Sequence, residues 1–284
     1  MAVANSSIQE IVAVFGQPVA GNPSQYMMEK AFANSGLDWR YLTLEVPADK
    51  LQGAIGGLRA MGFKGCNLTI PHKVAVIPLL DGTSEAAGLM GAVNCINRVG
   101  DKLIGENTDG KGFVQSLRSV IDPQGKKFVM LGAGGAARAM AVEVGLAGAA
   151  EITIVNRTPE RGQELVDLLN DKVKVAAKFV PWDGNYEVPA ETEVLINATS
   201  LGLSNADLKI PLDIKTLRPS LVVADVMFNP PHTRLLRDAQ AAGCTTLDGL
   251  GMLVNQAVIG FKIWTGVDAD PAVMREALEE FLGI

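Results

Sequence analysis

Hydrophobic and polar positions along this chain follow two alternating periods. Short apolar runs at Ile11–Phe15, Tyr41–Val46 and Gly65–Ile70 have the length and composition of strands. Between them, apolar positions recur at three- and four-residue intervals, and helical patterns begin near Pro23, Asp49 and Lys73. A turn-rich section, "GAVNCINRVGDKLIGENTDGKGF", gives way to a helical pattern over Gly112–Val120, and "DPQGK" breaks the chain before the apolar run Phe128–Leu131. The alternation then resumes: a helix from about Gly135, a strand at Ile152–Val155, a helix over Pro159–Leu169, and strands near Val194–Ile196 and Leu221–Ala224. The order predicts an α/β protein. An N-terminal α/β domain over residues 1–112 precedes a doubly wound parallel sheet over 113–249, with the domain boundary between Asp109 and Asp122. Two helical stretches from about 250 to 284 close the chain and are expected to pack back on the first domain.

Composition narrows the function classes. With 284 residues, 48% of them hydrophobic, the chain can bury a sizeable core. A net charge of -6 argues against nucleic acid or an anionic membrane as partner, so the expected ligand is a small molecule. Three cysteines (Cys66, Cys95, Cys244) without a CxxC pair, and only two histidines, signal neither a disulfide framework nor a metal site. The N-terminal "MAVANSSIQEIVAVFG" lacks the basic start of a secretory signal, and the charge-free stretch Ile11–Met28 is broken by Pro18 and Pro23. The expectation is a cytoplasmic protein, monomer or homodimer, with no membrane span.

The most informative stretch is "FVMLGAGGAARAMAVEVG". An apolar strand runs directly into Gly132-x-Gly134-x-x-Ala137 and then into a helix, which is the context a dinucleotide-binding Rossmann turn requires. Its glycines allow the tight turn and let backbone N–H groups approach a pyrophosphate. The next strand ends "ITIVNRTPER", with Asn156 where an NAD site carries an acid for the ribose hydroxyls. Arg157 and Arg161, flanking Thr158, offer guanidinium groups to a 2′-phosphate and point to NADP. The plainer alternative is a helix capped by Thr158 and Pro159 with solvated arginines.

The first domain holds the reactive candidates: Lys73, Asp109 of "ENTDG", the amides Asn67, Asn94 and Asn107, and Thr69. Lys with Asp makes a plausible acid/base pair, because burial lowers and a carboxylate raises the lysine pKa. Asp–Gly is equally a good turn, and Lys73 equally a solvated helix residue.

Taken in order, "NLTIPHK", "GAVNCI", "GENTDGKGF", "GAGGAARA", "NRTPER", "INATSLGL", "ADVMFNPPHTRLL" and "DGLGMLVNQA" resemble the shikimate dehydrogenase family over essentially the whole chain. The resemblance implies an NADP-dependent oxidoreductase of aromatic amino-acid biosynthesis that interconverts 3-dehydroshikimate and shikimate. It implies Lys73 as catalytic acid/base with Asp109 as its partner, and Thr69, Asn94, Asp109 and Gln256 at the substrate. On the cofactor side it implies Gly132, Ala133, Gly134, Gly135 and Ala136 at the pyrophosphate, and Asn156, Arg157, Thr158 and Arg161 at the adenosine phosphate. Val226 and Gly249 follow toward the nicotinamide, Thr199 is a further cofactor-binding residue, and Glu85 is placed on the cofactor side by its distance from Lys73. His72 is read as packing or a cap, since family members often carry another residue there.

Two departures fall on one function. The family usually shows H-S-x-S-P near the N-terminus, two serines binding the substrate carboxylate, where this chain reads Gly21-Asn22-Pro23-Ser24-Gln25. A family tyrosine reaching the same carboxylate aligns with Phe228. Ser24 keeps a hydroxyl and Asn22 an amide donor, but a charge-assisted hydrogen bond is worth about 1.5–3 kcal/mol, so two losses weaken carboxylate binding severely. The expected substrate is therefore shikimate or a related cyclic alcohol whose acidic group is placed differently or absent. The competing readings are a quinate/shikimate dehydrogenase using NAD, against which Arg157 and Arg161 speak, and a non-catalytic NADP-binding regulator, against which retention of Lys73 and Asp109 speaks.

Overall fold

A computed structural model describes residues 8–203 and 205–284. Residues 1–7, which open the segment read above for a signal sequence, lie outside the described part. In the first part of the chain the elements are β1 (Glu10–Gly16), α1 (Ser24–Asn34), β2 (Trp39–Glu45), α2 (Leu51–Ala60), β3 (Gly65–Leu68), α3 (His72–Ala75) and β4 (Gly82–Thr83). They continue as α4 (Glu85–Met90), β5 (Cys95–Val99), β6 (Lys102–Glu106) and α5 (Thr108–Leu117). The second part holds β7 (Lys127–Leu131), α6 (Gly135–Leu146), β8 (Glu151–Asn156), α7 (Pro159–Leu168) and β9 (Ala176–Pro181). It ends with β10 (Val194–Asn197), β11 (Val222–Asp225), α8 (Arg234–Ala241), β12 (Thr245–Leu247), α9 (Gly249–Thr265) and α10 (Pro271–Leu282). The chain forms two compact units, one ending at Thr108 and resuming at Ala257, the other running Asp109–Gln256. It passes from one to the other within α5 and within α9.

In the first unit the strands lie in the order β2-β1-β3-β5-β6-β4. β1 is parallel to β2 and β3, whereas β5 runs antiparallel to both β3 and β6. One face buries Ala13, Phe15, Cys66 and Leu68 against Leu51, Ile55 and Leu58 of α2. On α1 and α9, Phe32 and Phe261 stack at 5.2 Å. Gly65 leaves room for α9: a Cβ there would lie 2.1 Å from Nε1 of Trp264, which donates to the carbonyl of Ile96 at 2.9 Å.

The second unit carries a six-stranded sheet in the order β12-β11-β10-β7-β8-β9, parallel throughout. Phe128–Leu131 of β7, Val194–Ile196 of β10 and Val222–Ala224 of β11 are apolar without alternation, because both faces of the sheet are covered. Phe128 and Met130 of β7 enter one core with Ala137, Met140 and Leu165, while Val129 and Leu131 enter the other with Trp182, Leu235 and Leu236.

Three sequence expectations shift. The run Gly65–Ile70 leaves the sheet after Leu68, because Thr69 turns the chain and its carbonyl accepts the amide of His72 at 2.8 Å. The section read as turn-rich contains the hairpin β5–β6, closed at Gly100 in the left-handed region (φ 61°), where glycine is unstrained. Helix α5 starts at Thr108, four residues before Gly112, so "TDG" is its first turn. The reason is distant in sequence: the Asn94 side chain accepts the Thr108 amide at 2.7 Å, supplying a cap from across the sheet.

Candidate active site

In the first unit the candidate residues collect along one edge of the sheet. β1 and β3 end there, and the antiparallel register Asn67↔Cys95 and Cys95↔Glu106 brings the start of β5 and the end of β6 to the same edge. Ser24 opens α1 after β1, Thr69 and Lys73 follow β3, Asn94 precedes β5, and Thr108 follows β6. Crossover sheets keep their sites at this edge. Gly16, the last residue of β1, is pressed so closely on Thr69 that a Cβ would lie 2.3 Å from its Cγ2. Glu85 emerges farther out, after the outermost strand β4, and is exposed at the start of a helix capped by Ser84.

Lys73 is half-buried on α3, and its carbonyl accepts the amide of Val93 at 2.8 Å, tying that helix to the segment carrying Asn94. His72 is wholly buried, with Nε2 2.8 Å from the carbonyl of Val46. A carbonyl only accepts, so Nε2 carries the hydrogen. Nδ1 points into the interior without a partner, and the ring anchors α3 to the end of β2. Asn94 is buried and doubly engaged with Thr108, through its oxygen to the amide at 2.7 Å and through Nδ2 to Oγ1 at 3.0 Å. Asn22 accepts the amide of Ser24 on Oδ1 at 2.9 Å, and Ser24 is 5% exposed.

The second unit presents the carboxyl ends of its strands in the same way, with the strand order reversing between β7 and β10. Gly132 takes φ 107°, and a Cβ on it would lie 3.0 Å from Cγ2 of Thr199, so these two candidates adjoin. Gly134 and Gly135 face open space, where a Cβ would meet nothing within 4 Å, so the room they spare is outside the protein. A cavity of ≈ 260 Å³ opens at this point, lined by Ala133, Gly134, Gly135, Arg138, Arg161, Glu164 and Leu165. Two guanidinium groups beside a glycine turn at a helix N-terminus suit the phosphates of a dinucleotide. Thr158 precedes Pro159 of α7 but makes no side-chain cap, and Nδ2 of Asn156 donates to its carbonyl at 2.8 Å. The capped-helix alternative thus loses its threonine bond. A larger hollow, ≈ 400 Å³, lies at the loop after β9, and its charged side chains, Asp183 and Glu187, are acidic.

Val226 and Gly249 also meet, since a Cβ on Gly249 would lie 2.4 Å from the carbonyl oxygen of Val226. Phe228 is half-buried in the loop after β11; Gln256, 6% exposed on α9, donates from Nε2 to the carbonyl of Leu253 at 3.0 Å. Asp109 is the first residue of this unit and lies in the first turn of α5, where a carboxylate is favoured by the helix dipole. Among the described residues no three His, Cys, Asp or Glu side chains converge as a metal site would require. The three cysteines are free and buried.

The chain matches family models for the shikimate dehydrogenase substrate binding domain over residues 14–96, shikimate / quinate 5-dehydrogenase over 115–205 and the shikimate 5′-dehydrogenase C-terminal domain over 249–279. It is 42% identical to a shikimate dehydrogenase (NADP(+)) of Methanopyrus kandleri, over 96% of either chain. The chain belongs to the shikimate dehydrogenase family. It is an oxidoreductase of that family. Among solved members it is similar to the ligand-free 5-ketofructose reductase of Gluconobacter sp. strain CHM43, with 49% identity, TM-score 0.95, and coverage of 97% of this chain and 99% of that one. It is also similar to the Thermus thermophilus shikimate 5-dehydrogenase in complex with NADP(H) and shikimate, with 35% identity, TM-score 0.84, and coverage of 96% and 100%.

Sequence reasoning passed over Arg138, although its signal was present as a basic residue on the first helical turn after the glycines. It also passed over Asp225, which organises the loop carrying Val226 and Phe228. Asp225 is 1% exposed and accepts from Thr233 Oγ1 at 2.7 Å, Asn197 Nδ2 at 3.0 Å and the Met227 amide at 3.2 Å. Burial raises its carboxyl pKa, more than those three donors lower it. A raised folded-state pKa gives stability that is full below the unfolded value and is lost as pH rises through the folded one. Asp225→Asn keeps Oδ1 for two donors and can donate to the Thr233 hydroxyl, so it removes the buried charge without orphaning a group. We expect its melting temperature to match or exceed the parent's at pH 8 and the difference to move in the parent's favour toward pH 4. Asp225→Ala, which strands all three donors, is expected to cost about 3 kcal/mol at either pH in chemical denaturation.

Proposed function

We propose that this enzyme reduces a ketone within a polyhydroxylated, carboxylate-free compound, of the kind that 5-ketofructose represents, and takes 3-dehydroshikimate poorly. Its cofactor is NADP, whose reduced form, NADPH, would supply the hydride and leave as NADP+. The observation that carries the reading is the loss of carboxylate donors. Asn22 and Phe228 stand where the family has a serine and a tyrosine, and the Asn22 oxygen is turned onto the Ser24 amide at 2.9 Å. The 49% identity to a 5-ketofructose reductase, against 35% to a shikimate 5-dehydrogenase solved with shikimate, supports it.

In this reading Lys73 gives its proton to the ketone oxygen as the carbonyl carbon accepts hydride, and it recovers that proton from solvent. Asp109 holds the ammonium group in place. Asn94, Thr69 and Gln256 orient the ring or chain hydroxyls, and the glycine turn with Arg157, Thr158 and Arg161 binds the cofactor phosphates. Carboxylate recognition is the part of the family site that has changed, so substrate choice is the property expected to differ.

The test is NADPH consumption at 340 nm with 5-ketofructose and 3-dehydroshikimate under one set of conditions. We expect kcat/KM to be at least tenfold higher for 5-ketofructose. The 42% identity to a shikimate dehydrogenase (NADP(+)) favours a second reading, in which Ser24 and Asn22 suffice for the carboxylate. A ranking that favours 3-dehydroshikimate would establish that one instead.

A further inference from the structure

Within the second unit, α5 and α9 meet at contacts that leave no room for a side chain. A Cβ on Gly112 of α5 would lie 2.6 Å from the backbone nitrogen of Gln256 and 2.8 Å from the carbonyl oxygen of Met252. A Cβ on Gly251 of α9 would lie 2.2 Å from Oγ of Ser116. We infer that Gly112 and Gly251 are positioning residues, which fix the register of α9 against α5 and with it the placement of Gln256 and of the Val226 loop relative to Asp109. The inference rests on the reading above that Asp109 and Gln256 serve the substrate and Val226 the nicotinamide.

The direction of packing follows from the two contacts. Ser116 meets Gly251, whereas Gly112, one turn earlier on α5, meets Met252 and Gln256, so the two helices run antiparallel. Residues three or four apart share a face of a helix. Asp109, Gly112 and Ser116 therefore line the face of α5 that packs on α9, and Asp109 falls at the Gln256 end of the contact. These two residues are also the first and last of the unit. On another side α5 is fixed against α6, since a Cβ on Gly110 would lie 2.4 Å from the carbonyl oxygen of Ala139. An added methyl group between α5 and α9 thus displaces α9.

The start of α9 is held as closely. Asp248 caps it, with Oδ1 accepting the amides of Leu250 at 3.1 Å and Gly251 at 3.3 Å. Gly249 donates its amide to the Met227 carbonyl at 3.2 Å and abuts the Val226 carbonyl as described. From Gly249 to Gln256 the helix is unbroken, about 10 Å along its axis. α9 is therefore a stiff spacer between the loop proposed at the nicotinamide and the residues proposed at the substrate, and the glycines decide where it lies. Gly112 meets backbone, which cannot turn aside. Gly251 meets a hydroxyl oxygen, and without it the Ser116 Cβ would stand 3.3 Å away, a contact that a small shift relieves.

The experiment mixes each enzyme, loaded with one equivalent of NADPH, with a saturating ketone in a stopped-flow instrument and follows 340 nm through a single turnover. The rate constant reports the hydride step and the amplitude reports the fraction of competent enzyme. The ketone is whichever of 5-ketofructose and 3-dehydroshikimate the parent turns over faster. Misplacing reacting groups slows the chemical step itself. We expect Gly251→Ala to lower the rate constant about tenfold with its amplitude held, and Gly251→Ala/Ser116→Ala to return to within twofold of Ser116→Ala. Gly112→Ala should lower it about a hundredfold. A smaller amplitude with an unchanged rate constant would mark the glycines as structural only, and a double variant as slow as Gly251→Ala would show that the contact does not set the register; either overturns the inference. Should Gly251→Ala fail to fold, Ser116→Cys presses a larger sulfur on the unaltered glycine: a rate constant about threefold below that of Ser116→Ala upholds the inference and an equal one refutes it. Asp109→Asn and Gln256→Ala, run alongside, separate this idea from the site assignment. If neither slows the step while Gly251→Ala does and is rescued, the assignment of those two residues fails and the register effect stands; if both slow it and Gly251→Ala does not, the register effect fails alone.

Discussion

Lys73→Ala is expected to lower kcat about 10³-fold while leaving the Kd for NADPH within twofold of the parent. Reduction of a ketone places developing negative charge on its oxygen, and a positioned proton donor typically contributes 10²–10⁴ to such a step. Lys73 is suited to this because its backbone is fixed on two sides. The neighbouring His72 ring holds the carbonyl of Val46 at 2.8 Å, and the Lys73 carbonyl receives the amide of Val93, also at 2.8 Å. A half-buried side chain on so short and so tethered a helix loses little entropy when it meets substrate. Lys73→Met keeps the aliphatic stem and removes only the ammonium group, so it should be as inactive as the alanine variant. A methionine variant retaining a tenth of kcat would show that the proton comes from elsewhere. Fluorescence titration with NADPH separates this loss from loss of the cofactor, which is proposed to be held by residues of the other unit.

Elements that carry their own periodicity were legible in the sequence, and those held by partners distant in the chain were not. The strand before the glycine turn is apolar at each of Phe128–Leu131 because both of its faces are buried, and the motif follows within three residues. In contrast β12 is three residues long, and β9 is an edge strand whose sequence, "AAKFVP", has no clean alternation. The first turn of α5 looked like an Asp–Gly turn because its cap, Asn94, lies 14 residues upstream and reaches it only once β5 and β6 have paired. The site divides in the same way. Residue types that name their chemistry, such as Lys73, Gly132 and Arg161, can be put forward as candidates from the sequence directly. Asp225 acts through geometry, and nothing in its local sequence distinguishes it from an ordinary strand residue.

Replacing the two arginines that follow β8, Arg157→Gln before α7 with Arg161→Gln in its first turn, is expected to lower kcat/KM for NADPH by at least 10² while changing that for NADH less than threefold. At the proposed site each guanidinium would offer a charge-assisted bond to a 2′-phosphate, worth about 1.5–3 kcal/mol, and two such losses reach that factor even if they are not additive. The arrangement around them supports the estimate. Arg161 shares a cavity with Arg138 and the open glycines Gly134 and Gly135, and Thr158 makes no capping bond with its side chain. Glu164 lines the same cavity, so removing positive charge would leave a carboxylate beside the proposed phosphate site and steepen the loss. The discriminating measurement is calorimetric binding of 2′,5′-ADP and of 5′-AMP, which differ by the phosphate alone. The parent should prefer 2′,5′-ADP and should lose affinity for it as salt is raised, because a charge pair at an exposed mouth is screened. The double variant should bind the two nucleotides alike and show little salt dependence. If it kept the parent's preference, the 2′-phosphate would have to be read elsewhere, and Arg138 would be the next residue to replace.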